Sequence, residues 1–441
     1  MPSAYRLPPG YTLARTMLGA FRFLRDPIKT ITYNLNKFGG TYSARLPQHR
    51  RMIVTDDPAF VNYILKENQG NYHKSELSAD RAAVFFGKGL LFTNGEYWLR
   101  QRRLIQPGFH REKIRGLYDI VVRTVEGYMK TFPTGDAIDV YPLMHQLSFE
   151  MLMHSLFDLE MRPEAVAELR ATFTDVQEFL MKEVHHPLER LLYPLTGKER
   201  RMLVRTSRVR EIIKGMVAER RQDKGTYNDL LDMLLSARYE DTGKAMEEEQ
   251  LVDEILILLF AGHETTANAL SWLLYLLAGN PEVQERLSRV GGDVFDSPKN
   301  DYLNAVINEG MRLFPPAWMT ERVAVEDDGF GGFTYPKGTI VIPFFYGVHR
   351  NAQYWERPAD FDPERFMGEK KNKAFFPFGG GPRLCIGNGF ALAEMAIFLH
   401  TFFKEYTLRP TGQVPRLRPL ITLRPSAVLL SIGPKEVYER T

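Results

Sequence analysis

Between Glu247 and Gly279 apolar residues recur at helical spacing with no proline to stop them, which predicts a single helix of about 50 Å. From Ile255 to Phe260 every face of it is apolar, so this helix must run through a core rather than rest on one. The apolar run is too short to span a bilayer before Glu264 interrupts it. Just ahead of the interruption Ala261 and Gly262 carry little bulk, and Glu264, Thr265 and Thr266 follow. A threonine hydroxyl can bond the carbonyl four residues back and loosen a helix locally. A groove is expected to open there.

Apolar residues at three- and four-residue spacing continue through most of the stretch from about 97 to about 320, with few strand signals. Strand patterns lie near the two ends of the chain. Thr41 to Leu46 and Arg51 to Thr55 alternate like a hairpin around Pro47-Gln48-His49-Arg50, and Asp57-Pro58 then starts a helix at Ala59. Extended segments return at Arg322 to Val325 and Thr339 to Phe345, separated by an Asp327-Asp328-Gly329 turn, and residues 351 to 376 look irregular. The expected class is mainly α with a small β region.

With 44% apolar and 25% charged residues the chain is of ordinary globular composition. A formal charge of +3 gives no reason to expect a nucleic-acid partner. The first thirty residues contain Arg6, Arg15, Arg22, Arg25 and Lys29 with no long apolar run between them, which argues against a signal peptide or membrane anchor. Leu13, Met17, Leu18, Phe21 and Leu24 are expected to line one face of a short helix and to pack on the domain.

Cys385 is the only cysteine in 441 residues. No disulfide can form within the chain, which suits a cytoplasmic location. The thiol sits in Phe378-Gly379-Gly380-Gly381-Pro382-Arg383-Leu384-Cys385-Ile386-Gly387, and from Gly389 a helical pattern follows. Glycines here permit positive φ and the close approach of backbone to a large flat ligand, with amides aimed at the sulfur. A helix N-terminus nearby favours the thiolate. As a nucleophile the cysteine lacks a neighbouring base, since the nearest downstream histidine is His400. Zinc would require further cysteine or histidine ligands at short spacing. What remains is a metal held by one protein thiolate inside a macrocycle, of which haem iron is the common case.

The pattern Phe-x-x-Gly-x-Arg-x-Cys-x-Gly resembles the haem-binding loop of the cytochrome P450 family. Four further stretches resemble that family's motifs in the same order: Trp98-Leu99-Arg100-Gln101-Arg102, Ala261-Gly262-His263-Glu264-Thr265-Thr266, Glu309-Gly310-Met311-Arg312 and Pro363-Glu364-Arg365-Phe366. Length alone suggests two or three domains, but motifs spread over residues 30 to 410 that converge on one cofactor imply a single large P450 domain over 1–441.

The resemblance implies haem b, with Cys385 as the axial thiolate and Phe378, Gly379 and Ala261 against the porphyrin. Its two propionates call for cationic donors, and Arg383, Trp98, Arg102 and Arg322 form the expected set. Thr265 and Glu264 would deliver protons for O–O cleavage, and His263 is given no role. Glu309, Arg312 and Arg365 would form a buried scaffold triad. Substrate walls would include Phe85, Phe86, Leu91, Phe179, Trp318 and Met319, an apolar set that selects a lipophilic molecule of terpenoid, steroid, fatty acid or polyketide type.

The implied activity is hydroxylation or epoxidation with dioxygen. Electrons are expected from a separate ferredoxin or flavodoxin with its reductase, docking near Arg100, Arg103, Arg111, Lys113 and Arg115. The rival expectations are a peroxide-dependent or isomerising haem-thiolate enzyme and a non-catalytic haem sensor.

Overall fold

Thr41–Arg45 and Arg51–Thr55 form the predicted antiparallel hairpin, with Thr41 opposite Thr55 and Arg45 opposite Arg51. They belong to a computed structural model that describes residues 5–47, 50–158, 163–185, 189, 193–223, 225, 227–292, 301–368 and 372–435. The chain divides into two compact units. A sheet unit comprises Met1–Ala79, Met311–Phe361 and Glu369–Cys385, and a helical unit comprises Asp80–Gly310, Asp362–Gly368 and Ile386–Thr441. Helices predominate and the β content is small, as expected.

In the sheet unit six strands run in the order Gly10–Tyr11, Thr41–Arg45, Arg51–Thr55, Ile340–Pro343, Arg322–Ala324, Tyr72–His73. Strands from the early and late chain are thus interleaved. Arg51–Thr55 lies parallel to Ile340–Pro343, with Met52 beside Ile340, and Ile53 and Val341, paired on one face, and Val54 on the other are all buried. The expected helix after Asp57 is present as Pro58–Asn62, its first turn capped by the Asp57 carboxylate accepting from the Ala59 amide. It runs on into a π-helical turn, Tyr63–Glu67. Of the stretch 351–376, read as irregular, residues 369–371 lie outside the described set, and the rest holds one short 3₁₀ turn, Pro363–Phe366.

Two expectations in this unit need correction. Asp327-Asp328-Gly329 is not a turn: Asp328–Phe330 pairs with Phe333–Tyr335, and the turn is Gly331-Gly332, with φ of 59° and 79°. Two consecutive positive φ values make the tight hairpin connection that side chains with a Cβ resist. Asp328 serves instead as a hub, its carboxylate accepting from the Tyr63 and Tyr72 hydroxyls and the Asn68 amide at 3.0, 2.6 and 3.1 Å. The second correction is the helix Leu13–Arg25, which has no buried residue. Its apolar face does not pack on the domain; the partly buried positions are Thr16, Gly19, Phe23 and Leu24.

In the helical unit the predicted central helix spans Glu248–Ala278. Leu259, Leu270, Leu273, Leu274 and Leu277 are fully buried. Its principal neighbour is the helix Val140–Phe157, which starts at Asp139, whose carboxylate accepts from the Tyr141 amide. Around them stand Arg111–Met129, Pro163–His185, Lys198–Gln222 and Asn388–Glu405. Leu417–Pro419 and Leu423–Pro425 form a small hairpin whose tip meets the central helix: the Asn268 amide donates to Thr422 Oγ1 at 2.9 Å and the Trp272 indole to the Leu423 carbonyl at 3.0 Å. Among the described residues no helix is long and apolar enough to cross a membrane.

Candidate functional site

The loop that presents Cys385 is built by three short backbone bonds. Gly379 N–H donates to Phe376 O at 3.2 Å, Leu384 N–H to Gly381 O at 3.0 Å and Cys385 N–H to Phe378 O at 3.1 Å. The amides of Leu384 and Cys385 are therefore taken up within the loop rather than aimed at the sulfur. Gly379 has φ 76° and open space where a Cβ would stand, so its glycine answers to backbone conformation and leaves a flat approach beside it. Gly381 is different. At φ 68°, a Cβ there would lie 1.8 Å from the Leu65 carbonyl oxygen in the π-helical turn. Gly381→Ala is expected to cost about 3 kcal/mol or more, from the positive φ and the backbone collision together. Thermal unfolding and cofactor content of the purified variant measure it, and an unchanged melting temperature would contradict the packing argument.

Cations gather at this thiol. Lys74, half-buried, lies within electrostatic reach of Arg322, Arg383 and Cys385. Burial holds the Lys74 amine well below the usual lysine range; the Arg322 and Arg383 guanidinium groups push the same way and the Cys385 sulfur opposes them. Arg322 is buried at the start of its strand and donates to Thr320 Oγ1 and the Glu321 carbonyl at 3.0 and 2.8 Å. Burial pushes its guanidinium down to about 10. Three crowded like charges repel one another, which an anionic guest would relieve. The loop is held at its start by His349: the Phe376 amide donates to His349 Nε2 at 2.8 Å, and burial pushes that imidazole down to about 3, so it stays neutral and able to accept.

On the central helix Thr265 Oγ1 donates to the Ala261 and Gly262 carbonyls at 2.8 and 3.2 Å. Ala261 and Thr265, one turn apart, are half-buried while His263, Glu264 and Thr266 are buried. One face of the helix is therefore accessible at this turn, as the groove requires. Gly262 does not contribute to it as expected, because Leu152 occupies the position next to its missing Cβ, at 2.9 Å. Its smallness lets two helices approach.

Glu264 is 3% exposed, and its Oε2 has no hydrogen-bond partner among the described residues. Burial holds the carboxyl above the ordinary glutamate range, against the opposing pull of Thr422, Arg424 and Gln177. Arg424 in turn lies over the Tyr141 ring, 4.7 Å from its centre. His263 pairs with His145, Nε2 to Nε2 at 3.2 Å, and burial pushes the two down to about 3 and about 4. One turn on, Thr266 Oγ1 donates to the buried Glu394 at 3.1 Å. Burial holds the Glu394 carboxyl well above the usual range.

The family model described as Cytochrome P450 matches residues 8–435. The chain belongs to the cytochrome P450 family. Among P450 relatives, cyclooctat-9-en-7-ol 5-monooxygenase of Streptomyces melanosporofaciens is 32% identical over 75% of each chain. Cyclooctatin synthase of the same organism is 32% identical over 92% of this chain and 90% of its own. The crystal structure of the cytochrome P450DA heme domain shares the fold at a TM-score of 0.83, with 21% identity over 96% of this chain and 94% of that one. CYP175A1 from Thermus thermophillus does so at 0.80, with 24% identity over 97% and 100%.

P450 proteins are monooxygenases that carry haem with a cysteine thiolate as axial ligand. The residues present fit that group. The single thiol stands on a loop whose Gly379 leaves a face clear of side chain, and Lys74, Arg322 and Arg383 are basic groups of the kind that anionic propionates require. Lys74 and His349 were not found from the sequence, since neither lies in a motif; only the fold brings residues 74, 322, 349, 376 and 385 into one unit.

Of the other expected P450 residues, Trp98 is buried and Arg102 half-buried on the helix Gly95–Ile105, and Arg102 Nε donates to Gln106 at 3.1 Å. Both belong to the helical unit. Glu309 and Arg312 are fully buried on the helix Asp301–Leu313. The Glu309 carboxylate accepts from Arg365 Nε at 3.3 Å and the Asp362 amide at 2.9 Å. Arg312 donates to the carbonyls of His349, Pro358 and Asp360 at 2.9, 2.8 and 2.9 Å.

Phe85 and Phe86 end the helix Glu76–Phe86. Phe86 packs at 4.1 Å between ring centres on Phe260 and at 6.0 Å on Phe173, and Phe85 at 5.7 Å on Phe179. Leu91 is half-buried in the segment that follows. Trp318 is buried against Phe344 in the sheet unit, and Met319 beside it is half-buried.

Proposed function

We propose that this P450 inserts one atom of dioxygen into a lipophilic cyclic substrate, by hydroxylation or epoxidation, with electrons from a separate ferredoxin or flavodoxin and its reductase. The observation that carries the proposal is the buried acid beside the accessible alcohol, Glu264 and Thr265, at the turn of the central helix where Ala261 and Thr265 are half-buried. A haem carrier or sensor has no use for a protonated carboxyl kept out of water at that turn.

Cys385 would hold the iron. Haem so bound supplies the oxygen chemistry, and the thiolate's electron density favours O–O cleavage. In the sheet unit Lys74, Arg322 and Arg383 would hold propionates, Gly379 would leave room for the flat ring and the Phe378 ring would pack on it; in the helical unit Arg102 and the Trp98 indole N–H are the propionate donors the resemblance implies, and Ala261 the small residue it places against the porphyrin. The Thr265 hydroxyl, which donates to the Ala261 carbonyl at 2.8 Å, can instead turn to hydrogen-bond the oxygen side. Glu264 keeps its proton at pH values where exposed glutamates have lost theirs, so it passes a proton inward toward Thr265 and is reprotonated from solvent, with the Thr422 hydroxyl as its hydrogen-bonding neighbour. Glu309, Arg312 and Arg365 hold the scaffold.

Phe85, Phe86, Leu91 and Phe179 are the apolar wall residues of the helical unit, and Trp318 and Met319 those of the sheet unit. The relatives named for cyclooctat-9-en-7-ol and cyclooctatin support a terpenoid-type skeleton. For the electron carrier, Arg103, Arg111, Lys113 and Arg115 are exposed basic positions, and Arg100 pairs with Asp241 at 3.2 Å.

The test is turnover of a panel of cyclic terpenoid alcohols with dioxygen, ferredoxin and ferredoxin reductase, against hydrogen peroxide alone. Oxygenated product that carries label from ¹⁸O₂ and depends on the carrier is expected. Product with peroxide only, or tight binding with no product in either arm, would contradict the proposal.

A further inference from the structure

The helix Leu13–Arg25 turns its apolar side outward. Leu13, Met17, Leu18 and Phe21 are 43%, 61%, 81% and 74% exposed, and no residue of the helix is buried. At 100° per residue these four side chains fall within one arc of about 140°. Arg25 falls just inside one edge of that arc, Arg22 and Arg15 lie beyond the same edge, and all three are exposed. The helix carries no acidic residue. Arg6 before it and Lys29 after it add exposed positive charge, Lys29 pairing only at 3.6 Å with the half-exposed Asp26.

Thr16, Gly19 and Phe23, partly buried on the opposite side of the helix, rest on its own unit, and Leu24, also partly buried, lies at the end of the apolar arc nearer Leu13. The face left over is large, apolar and edged by arginine. With thirteen residues, the helix is about 20 Å long, too short to span a bilayer and suited to lie flat in the headgroup layer.

We infer that Leu13–Arg25 docks this P450 on an anionic membrane surface, with Met17, Leu18 and Phe21 entering the acyl boundary and Arg15, Arg22 and Arg25 meeting lipid phosphates. A protein partner or a second copy would cover the apolar arc equally well, but the charge is of one sign and follows the margin, which matches a surface of negative headgroups. The inference is independent of the reaction at the haem. A lipophilic substrate would be met where it is most concentrated.

The experiment is flotation of the haem-loaded protein with vesicles of equimolar phosphatidylcholine and phosphatidylglycerol, and with vesicles of phosphatidylcholine alone. Binding to the anionic vesicles is expected, weakened by high salt and at least about tenfold stronger than to the neutral ones. The double variant Leu18→Glu, Phe21→Glu should lose binding by at least about tenfold, and Arg15→Glu, Arg22→Glu should lose the preference for anionic lipid. None of these side chains is buried, so the variants should keep the wild-type circular dichroism and haem spectrum. Flotation with neither vesicle, or equal flotation of wild type and the Leu18→Glu, Phe21→Glu variant, would overturn the inference. So would a dimer in sedimentation that the same variant converts to a monomer while no vesicle is bound.

Discussion

Glu309→Ala is expected to lower stability by about 3–5 kcal/mol, the usual consequence of removing one partner from a buried ionic network. The Glu309 side chain has no exposed surface, and the Arg365 side chain it holds is 10% exposed. Without the carboxylate, Arg365 would keep a buried charge and Asp362 a buried amide, with no acceptor delivered by the helix Asp301–Leu313. The truncation also leaves a cavity that alanine cannot fill. Glu309→Gln keeps an acceptor for the Asp362 amide and loses only the charge, so it should fall between the two. Urea unfolding followed by tryptophan fluorescence, with haem content measured on the same samples, gives the comparison. A variant with wild-type unfolding midpoint and full haem-thiolate spectrum would refute the scaffold role.

Thr265→Val is expected to leave the fold intact and to break the link between electron consumption and product. Thr265 is half-buried and, among the described residues, its hydroxyl donates to the Ala261 and Gly262 carbonyls of its own helix, so the stability change should stay within about 1 kcal/mol. Product formed per electron pair should drop about tenfold or more, with the electrons appearing as hydrogen peroxide, because a positioned proton donor is commonly worth ~10²-fold or more. Glu264→Gln should slow the same step while keeping the side chain's shape.

The pH dependence has a definite sign. The Glu264 carboxyl is raised by burial and opposed by the hydrogen bond from Thr422. The protonated form is the donor, so turnover should fall as pH rises through the folded-state pKa. Thr422→Val removes a group that favours the charged form, so that fall should move to higher pH. Equal coupling in wild type and Thr265→Val would remove the hydroxyl from the mechanism.

Where the sequence speaks locally, it was readable. No turn residue breaks Glu248–Ala278, the Thr41–Thr55 hairpin alternates, and Gly379 and Gly381 stand where the backbone needs positive φ. The failures share one cause. Leu13, Met17 and Phe21 have the period of a core-facing helix, and period alone does not say whether water or protein meets the face. Gly262 resembles a groove-maker and is a contact point for Leu152. Asp328 reads as a turn residue because its three hydroxyl and amide donors lie far from it or in another segment. Lys74, His349, Tyr141 and Arg424 each acquire their surroundings from segments distant in sequence, so no local pattern marks them.

The most direct measurement is the absorption spectrum of the reduced, haem-loaded protein under carbon monoxide, taken for wild type and Cys385→Ser. With the Cys385 thiolate on the iron, wild type shows the strongly red-shifted Soret band of sulfur coordination, and the serine variant binds haem without it. A folded, fully loaded wild type whose band is unshifted, or a serine variant that keeps the shifted band, would contradict the assignment on which the mechanism stands.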